Sequence, residues 1–335
     1  MTDRPRALLA MSPEFLPLLF PAPLMERLLG ALDFDPALVV EDFADPAAAA
    51  ALADAEVLVS SWGVPVLDAA VLEGAPKLRA MLHAAGSVKH LVGDPAWERG
   101  LLVSSSVEAN ALPVAEYTLA AILLAGKGIF DLREDFRARR AFELGYIHPQ
   151  VGNFGRVVGV VGASRIGRRV LELLRPFDFQ VLLADPYVDK ETAAALGAEL
   201  VDLDELVARA DLVTVHAPRL PETEGLIDAA RLASMKDGAV LVNTSRGSLV
   251  DTDALIAEVR TGRLSAILDV THPEPLPRDS PLYDLPNVFL TPHLAGSHGN
   301  ELARMGLLMV EEAERFAAGE SLRHRVDPGL LWRQA

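Results

Sequence analysis

The sequence predicts an α/β protein of two domains, each carried by a mainly parallel sheet with helices on its faces. Three observations predict it. The 335 residues exceed the roughly 100 to 200 that one compact domain usually holds. Short apolar runs alternate with helix-length segments along nearly the whole chain, and parallel strands need such crossovers between them. With 50% hydrophobic and 23% charged residues, and 24 Gly and 23 Pro spread along it, the chain has the composition of a folded protein and not of a disordered or fibrous one.

In chain order, Ala7 to Met11, Val39 to Phe43, Val57 to Ser61, Leu78 to Ala85 and Leu101 to Ser105 read as the strands of the first domain. The apolar stretch Phe15 to Met25 is interrupted by Pro17, Pro21 and Pro23. It is also far shorter than the roughly 20 residues that span a bilayer, so it reads as a loop and helix start. Pro113 to about Arg140 reads as one long helix with Pro near its first turn, ending in Arg133, Arg137, Arg139 and Arg140, and bridging the domains. A second alternation gives six strands: Val157 to Val161, Val181 to Ala184, Leu212 to His216, Val240 to Asn243, Ile267 to Val270 and Val288 to Leu290. The helical pattern after His293 runs to Phe316 and is expected to return to the first domain. That domain is then discontinuous, residues 1–108 with 298–335, with residues 109–297 inserted.

The 47 acidic against 31 basic side chains give a net charge of −16, a field that repels phosphate backbones, so nucleic acid is not an expected partner. The absence of Cys excludes disulfides, thiolate nucleophiles and Cys-ligated metal sites. A soluble cytoplasmic protein with no membrane partner is the expectation.

The first chemical signal is Gly162-Ala163-Ser164-Arg165-Ile166-Gly167, directly after an apolar strand and opening a helix. Such a turn offers backbone N–H groups and the positive helix end to a pyrophosphate, although Ser164 stands where the usual G-x-G-x-x-G pattern has its middle glycine. Eighteen residues beyond Gly167, Asp185 ends the next strand, where a carboxylate accepts from ribose hydroxyls and repels a 2′-phosphate, favouring NAD over NADP. The fold expected is therefore of the Rossmann/flavodoxin-like kind in both domains.

The second signal lies at the carboxyl ends of the later strands, where open α/β sheets place their ligands. Asn243-Thr244-Ser245-Arg246-Gly247 follows one strand, Asp269 to Pro275 with Glu274 the next, and Thr291-Pro292-His293-Leu294-Ala295-Gly296 the last. Arg246, Glu274 and His293 each have a bland reading as surface pair, solvated charge and half-buried imidazole; together and in this order they converge on one crevice.

These segments, with His216-Ala217-Pro218 and Glu222-Thr223 between them, resemble the NAD-dependent D-isomer-specific 2-hydroxyacid dehydrogenase family over nearly the whole chain. The resemblance implies that Arg246 holds the substrate carboxylate, His293 is the acid/base and Glu274 orients it. It implies a carboxylate grip by backbone N–H groups at Gly86, Ser87 and Val88, with Ser87 where the family has a second glycine. It implies NAD contacts at Gly162, Ser164, Arg165, Ile166, Gly167, Asp185, His216, Ala217, Pro218, Thr244, His293 and Gly296, and a nicotinamide carboxamide contact at Asp269. A homodimer formed through the nucleotide domain is implied in the same way. No room is left after the last helix for the extra regulatory domain that some serine-pathway relatives carry, so feedback through one is not expected.

The chemistry suits these residues. Reduction of a 2-oxo acid builds negative charge on the carbonyl oxygen, so the site must offer a proton and a cation. Arg binds a carboxylate through a planar fork that Lys lacks, and a carboxylate beside an imidazole favours the imidazolium. Reduction is then expected to slow, and alcohol oxidation to quicken, as pH rises. Zinc on His272, Glu274, His293 and His298 is the metal alternative; it lacks H-E-x-x-H spacing and hydride transfer does not need it, so no metal is expected. No G-x-S-x-G elbow supports a hydrolase. A catalytically silent NAD-binding sensor or scaffold, or a formate-type dehydrogenase, stands as the alternative function. Trp62, His83, Ser87 and residues near Tyr146 are the candidates for the C3 side of a small 2-oxo or 2-hydroxy acid.

Overall fold

The structure, a computed structural model, describes residues 4–142 and 151–333. It divides into two compact units, Met1–Asn110 with Ser297–Gln334, and Ala111–Gly296.

The first unit runs β1 (Ala7–Ala10), α1 (Leu16–Leu19), α2 (Ala22–Ala31), β2 (Val39–Val40), α3 (Pro46–Asp54), β3 (Val57–Ser60), α4 (Ala69–Gly74), β4 (Ala80–His83), α5 (Asp94–Glu98) and β5 (Leu102–Ser105). Its five strands are parallel in the order β2-β1-β3-β4-β5, the flavodoxin-like winding. β3 and β4 are buried at every position, as parallel strands covered on both faces must be. One face packs Leu9, Val57, Val59 and Leu82 with the C-terminal helix; the other packs Leu8, Leu58, Met81 and Val103. Asp45 and Asp68 cap α3 and α4 through their side chains, which satisfies N–H groups that a helix start leaves unpaired.

Helix α6 (Val107–Gly126) contains the boundary between the units. Where one helix was expected from Pro113 to Arg140, there are two. Helix α7 (Ile129–Arg139) follows a break at Gly128, held at φ +61°. A left-handed residue ends a helix by turning the chain that follows off the axis while its own N–H closes the last turn, here Gly128 N to Ala125 O at 2.8 Å. Pro113 also lies inside α6 and not in its first turn. At 20 residues α6 is long and apolar enough to cross a membrane, but 56% of it is buried inside the protein and it carries Glu108 and Glu116.

The second unit continues with β6 (Val157–Val161), α8 (Arg165–Leu174), β7 (Gln180–Ala184), α9 (Lys190–Ala195), β8 (Glu199–Leu200), α10 (Leu203–Arg209), β9 (Leu212–Val215), α11 (Ala229–Ser234), β10 (Val240–Asn243), α12 (Thr252–Arg260), β11 (Ser265–Leu268) and β12 (Val288–Leu290). The seven parallel strands are ordered β12-β11-β10-β9-β6-β7-β8, the Rossmann winding with one strand added beyond β11. The sequence pattern marks six of them. The seventh, β8, is two residues at the edge, too short for any periodicity to mark.

The last helix, α13 (Leu302–Ala317), belongs to the first unit. It packs on α1 and α2 through Met305, Met309 and Ala313, and Arg27 forms a two-pronged ion pair with Glu314. At Gly306 a Cβ would lie 1.8 Å from the Leu19 carbonyl oxygen, so only glycine lets the helix sit this close.

Candidate active site

The switch point of the seven-stranded sheet lies between β6 and β9, and there the glycine turn is tightly determined. Gly162 adopts φ +94°, and a Cβ on it would sit 2.7 Å from the Ala217 nitrogen. A Cβ on Gly167 would sit 2.0 Å from the Gly162 carbonyl oxygen. Both glycines are required by close approach. Ser164 is not excluded in the same way: its φ of −61° is open to any residue, and its Oγ accepts from Gly167 N at 3.3 Å, capping α8. The N–H groups of Ser164 and Ile166 have no partner among the described residues, and they open a ten-residue helix, a fit for a pyrophosphate. The Asp185 carboxylate accepts from Ala163 N at 2.7 Å and Tyr187 N at 2.8 Å, which fixes it beside the turn with lone pairs remaining for hydroxyl donors.

Two expected cofactor residues hold their side chains inward. The His216 imidazole is 2% exposed, with Nε2 2.9 Å from Thr214 Oγ1. Burial pushes its pKa down to about 3, so it is neutral and faces the interior; Ala217 beside it is buried as well, and Pro218 is the first partly exposed residue of that loop. Thr244 is likewise buried, its hydroxyl 2.9 Å from that of Thr118.

Arg246, Glu274 and His293 follow β10, β11 and β12, three neighbouring strands. At Gly247 a Cβ would be 2.0 Å from the Thr271 carbonyl, so the glycine after Arg246 lets the Glu274 loop come alongside. Glu274 Oε1 lies 2.9 Å from His293 Nδ1. Arg246 is half-buried and its Nη1 donates to its neighbour Ser245's carbonyl at 2.7 Å. Burial lowers its pKa below the ordinary arginine value, the charge of Glu274 opposes this, and the charge of Arg219 adds to it. The guanidinium therefore has Glu274 and Arg219 within electrostatic reach. Arg219, exposed on the loop after β9, carries no signal in the sequence; only the spatial meeting of two loops, joined where Ser245 Oγ donates to Ala217 O at 2.9 Å, brings it in.

His293 has φ +55°, a strained conformation for a residue with a side chain. Asp269 enforces it. Its backbone oxygen accepts from His293 N at 2.9 Å, and its carboxylate takes Thr291 Oγ1 at 2.6 Å, Leu294 N at 2.8 Å and Ala295 N at 2.9 Å. Asp269 is 1% exposed; the carboxylate expected to meet a nicotinamide is committed to the loop that carries His293 and Gly296. Tyr117 completes the network with its hydroxyl 2.8 Å from Thr291 Oγ1, and burial raises its pKa.

His272 and His298 are exposed, and no group of three metal-binding side chains forms among the described residues. In the first unit, the N–H groups of Gly86, Ser87 and Val88 after β4 have no partner among the described residues, three donors in a row for an anion. His83 is 2% exposed, bonded through Nδ1 to Ser60 Oγ at 3.0 Å, and does not line a surface as expected. Trp62 does, at 37% exposed. Tyr146 lies outside the described residues.

Residues 119–295 match the family described as D-isomer specific 2-hydroxyacid dehydrogenase, NAD binding domain. D-3-phosphoglycerate dehydrogenase of Mycobacterium leprae is 40% identical over 285 residues, 84% of this chain and 53% of that protein, so the chain spans about half the length of such relatives. Glyoxylate reductase of Korarchaeum cryptofilum is 33% identical over 272 residues, 80% of this chain and 81% of that one. Among solved structures, apo D-mandelate dehydrogenase of Rhodotorula graminis superposes with a TM-score of 0.78 at 27% identity, covering 97% of this chain and 98% of that one.

Proposed function

Because the chain belongs to the D-isomer specific 2-hydroxyacid dehydrogenase family, we propose that it interconverts a small 2-oxo acid and the corresponding D-2-hydroxy acid, with NAD bound on the seven-stranded sheet. The observation that carries the reading is the 2.9 Å contact between His293 Nδ1 and Glu274, on the loops that follow β12 and β11, with Arg246 on the loop that follows β10, the strand beside β11.

When bound, the nicotinamide supplies the hydride that C2 gains. The chain's own residues do the rest. Arg246 holds the substrate carboxylate, and its charge persists near neutrality despite partial burial. With Nδ1 engaged by Glu274, proton exchange with the substrate oxygen falls to Nε2 of His293. Asp269 positions His293, and a side chain held against rotation loses less entropy when the substrate arrives. Residues 1–108 with 298–335 are read as the substrate domain, where the N–H groups of Gly86, Ser87 and Val88 offer three donors to a carboxylate. Residues 109–297 are read as the nucleotide domain.

The same reading has the protein as a cytoplasmic homodimer. Leu124, Ile129 and Phe136 on α6 and α7 are exposed, which supports a covered face there; light scattering in solution tests it. The activity is tested by NADH oxidation against a panel of 2-oxo acids, with chiral analysis of the product. D-hydroxy acid with consumption of one NADH is the expected result. Absence of turnover across the panel, with NADH still bound, favours the silent sensor instead.

A further inference from the structure

The switch point of the five-stranded sheet lies between β1 and β3, and the loops that meet there are locked together. Gly63, at φ +88°, would place a Cβ 2.1 Å from Ser12 Oγ and 2.7 Å from Ser12 N, and Ser12 N donates to Trp62 O at 2.8 Å. The lock presents the Trp62 side chain at the carboxyl edge of the sheet, where open α/β folds bind ligands. Phe15 supports it from beneath, with ring centroids 5.1 Å apart, and is itself fixed by its N–H to Ser12 O at 3.1 Å. The next strand beyond β3 is β4, whose loop carries the N–H groups of Gly86, Ser87 and Val88, without a partner among the described residues. Neighbouring strands are about 4.8 Å apart, so an acid whose carboxylate sits on those groups carries its tail beyond C2 across to Trp62.

The charge around that position is one-sided. Residues 11–20 and 61–67 contain no Lys or Arg and a single acid, Glu14, while Ser12 Oγ bonds Glu41 Oε1 at 2.5 Å. The face of an aromatic ring is itself electronegative. Neither loop supplies a cation to an anionic tail there, and the acids at hand, Glu14 on one loop and the Glu41 bonded to Ser12, are of its own sign, as is the ring face; Lys89 and His90 follow Val88 in the turn closed by Leu91 N to Val88 O.

We propose that Trp62, propped on Phe15, is a specificity-determining residue that selects 2-oxo and 2-hydroxy acids whose tail beyond C2 is flat and uncharged over those whose tail is a phosphate ester. The proposal rests on the dehydrogenase reading for the orientation of the acid, and its test does not depend on turnover. Calorimetric titration of the NADH complex uses D-phenyllactate, D-lactate and D-3-phosphoglycerate, hydroxy acids that the reduced cofactor cannot reduce further. In the wild type, phenyllactate binds about 10-fold or more tighter than lactate through the ring contact and the area it buries, and 3-phosphoglycerate binds no tighter than lactate. Trp62→Ala removes most of the phenyllactate advantage while lactate changes by less than about 3-fold, and Trp62→Phe, which keeps a ring, retains about half of it in free energy. Preference for 3-phosphoglycerate, equal weakening of lactate and phenyllactate in Trp62→Ala, or no binding of any of the three overturns the proposal. Failure of the dehydrogenase reading shows separately, as no NADH oxidation by the matching 2-oxo acids while this ranking persists.

Discussion

After β6 the chain turns through Gly162 at φ +94°, with no room for a Cβ against Ala217 across the switch point; after β3 it turns through Gly63 at φ +88°, with no room for a Cβ against Ser12 across the other one. Both sheets thus use a left-handed glycine to lock the two loops that flank the reversal of strand order. Beyond the lock the two sheets differ. On the larger sheet the turn feeds a ten-residue helix at whose start the N–H groups of Ser164 and Ile166 have no partner among the described residues, and on the smaller it leaves an aromatic side chain facing outward with a four-residue helix nearby. The winding therefore sets where a ligand goes, whereas the first few residues past the strand set which chemistry it has: amide donors and a helix dipole for phosphate, a ring face for an uncharged group. Each sheet also buries one neutral imidazole beside a hydroxyl, His216 on Thr214 and His83 on Ser60.

Placing the same stress on each glycine in turn tests this division of labour with the largest effect. Gly162→Ala adds strain of about 1–2 kcal/mol to the clash with Ala217, and NADH affinity should fall at least about 100-fold, roughly 3 kcal/mol. Gly63→Ala, with equivalent strain, should leave NADH affinity unchanged and weaken the acids that lie over Trp62. If both variants lose NADH equally in a fluorescence titration, the two locks do not serve separate ligands.

A middle-sized effect probes the chemistry of the larger sheet. Glu274→Gln keeps a hydrogen-bond acceptor for His293 but replaces a charge-assisted bond by a neutral one that holds the ring less firmly, so kcat/KM for reduction should fall by about 10-fold with NADH affinity within about 3-fold of wild type. An unchanged kcat/KM assigns Glu274 no part in positioning His293.

The legible and the hidden parts of the molecule divide along physical lines. All the strands but the two-residue β8 are readable because short runs of consecutive apolar residues between polar and turn residues have few other uses, and Arg246, Glu274 and His293 are readable because each follows such a strand. Contacts between loops are not. Nothing in the order of residues says that Asp269 spends its carboxylate on Thr291, Leu294 and Ala295, that Arg219 comes within reach of Arg246, or that Phe15 lies under Trp62. The burial of His83 and His216 escapes for a related reason: a polar residue at the end of an apolar strand can face either way, and only the register, with Ser60 opposite His83 and His83 opposite Ser105, settles it. The break at Gly128 is hidden because glycine within a helical pattern does not announce a positive φ.

A last effect concerns stability in acid. Burial lowers the pKa of His83 to about 4 and of His216 to about 3, so between these values and the ordinary 6.5 the unfolded chain binds protons that the folded one does not. Stability is therefore full above about pH 6.5 and is lost as pH falls below it, by up to roughly 1.4 kcal/mol per pH unit for each histidine. Urea unfolding at pH 7 and pH 5 measures it, and His83→Gln and His216→Gln should each flatten the slope. A stability that rises between pH 7 and pH 5 contradicts the burial of both rings.

That His293 works with Glu274 and Arg246 on an acid held beside bound NAD can be put to a single decisive comparison: wild type against His293→Ala in NADH oxidation by a 2-oxo acid substrate, with NADH affinity measured in parallel. The expected result is a loss in kcat/KM of about 10²–10⁴-fold with NADH affinity within about 3-fold of wild type, since the amide donors and Asp185 are untouched. Equal rates for the two proteins would contradict it.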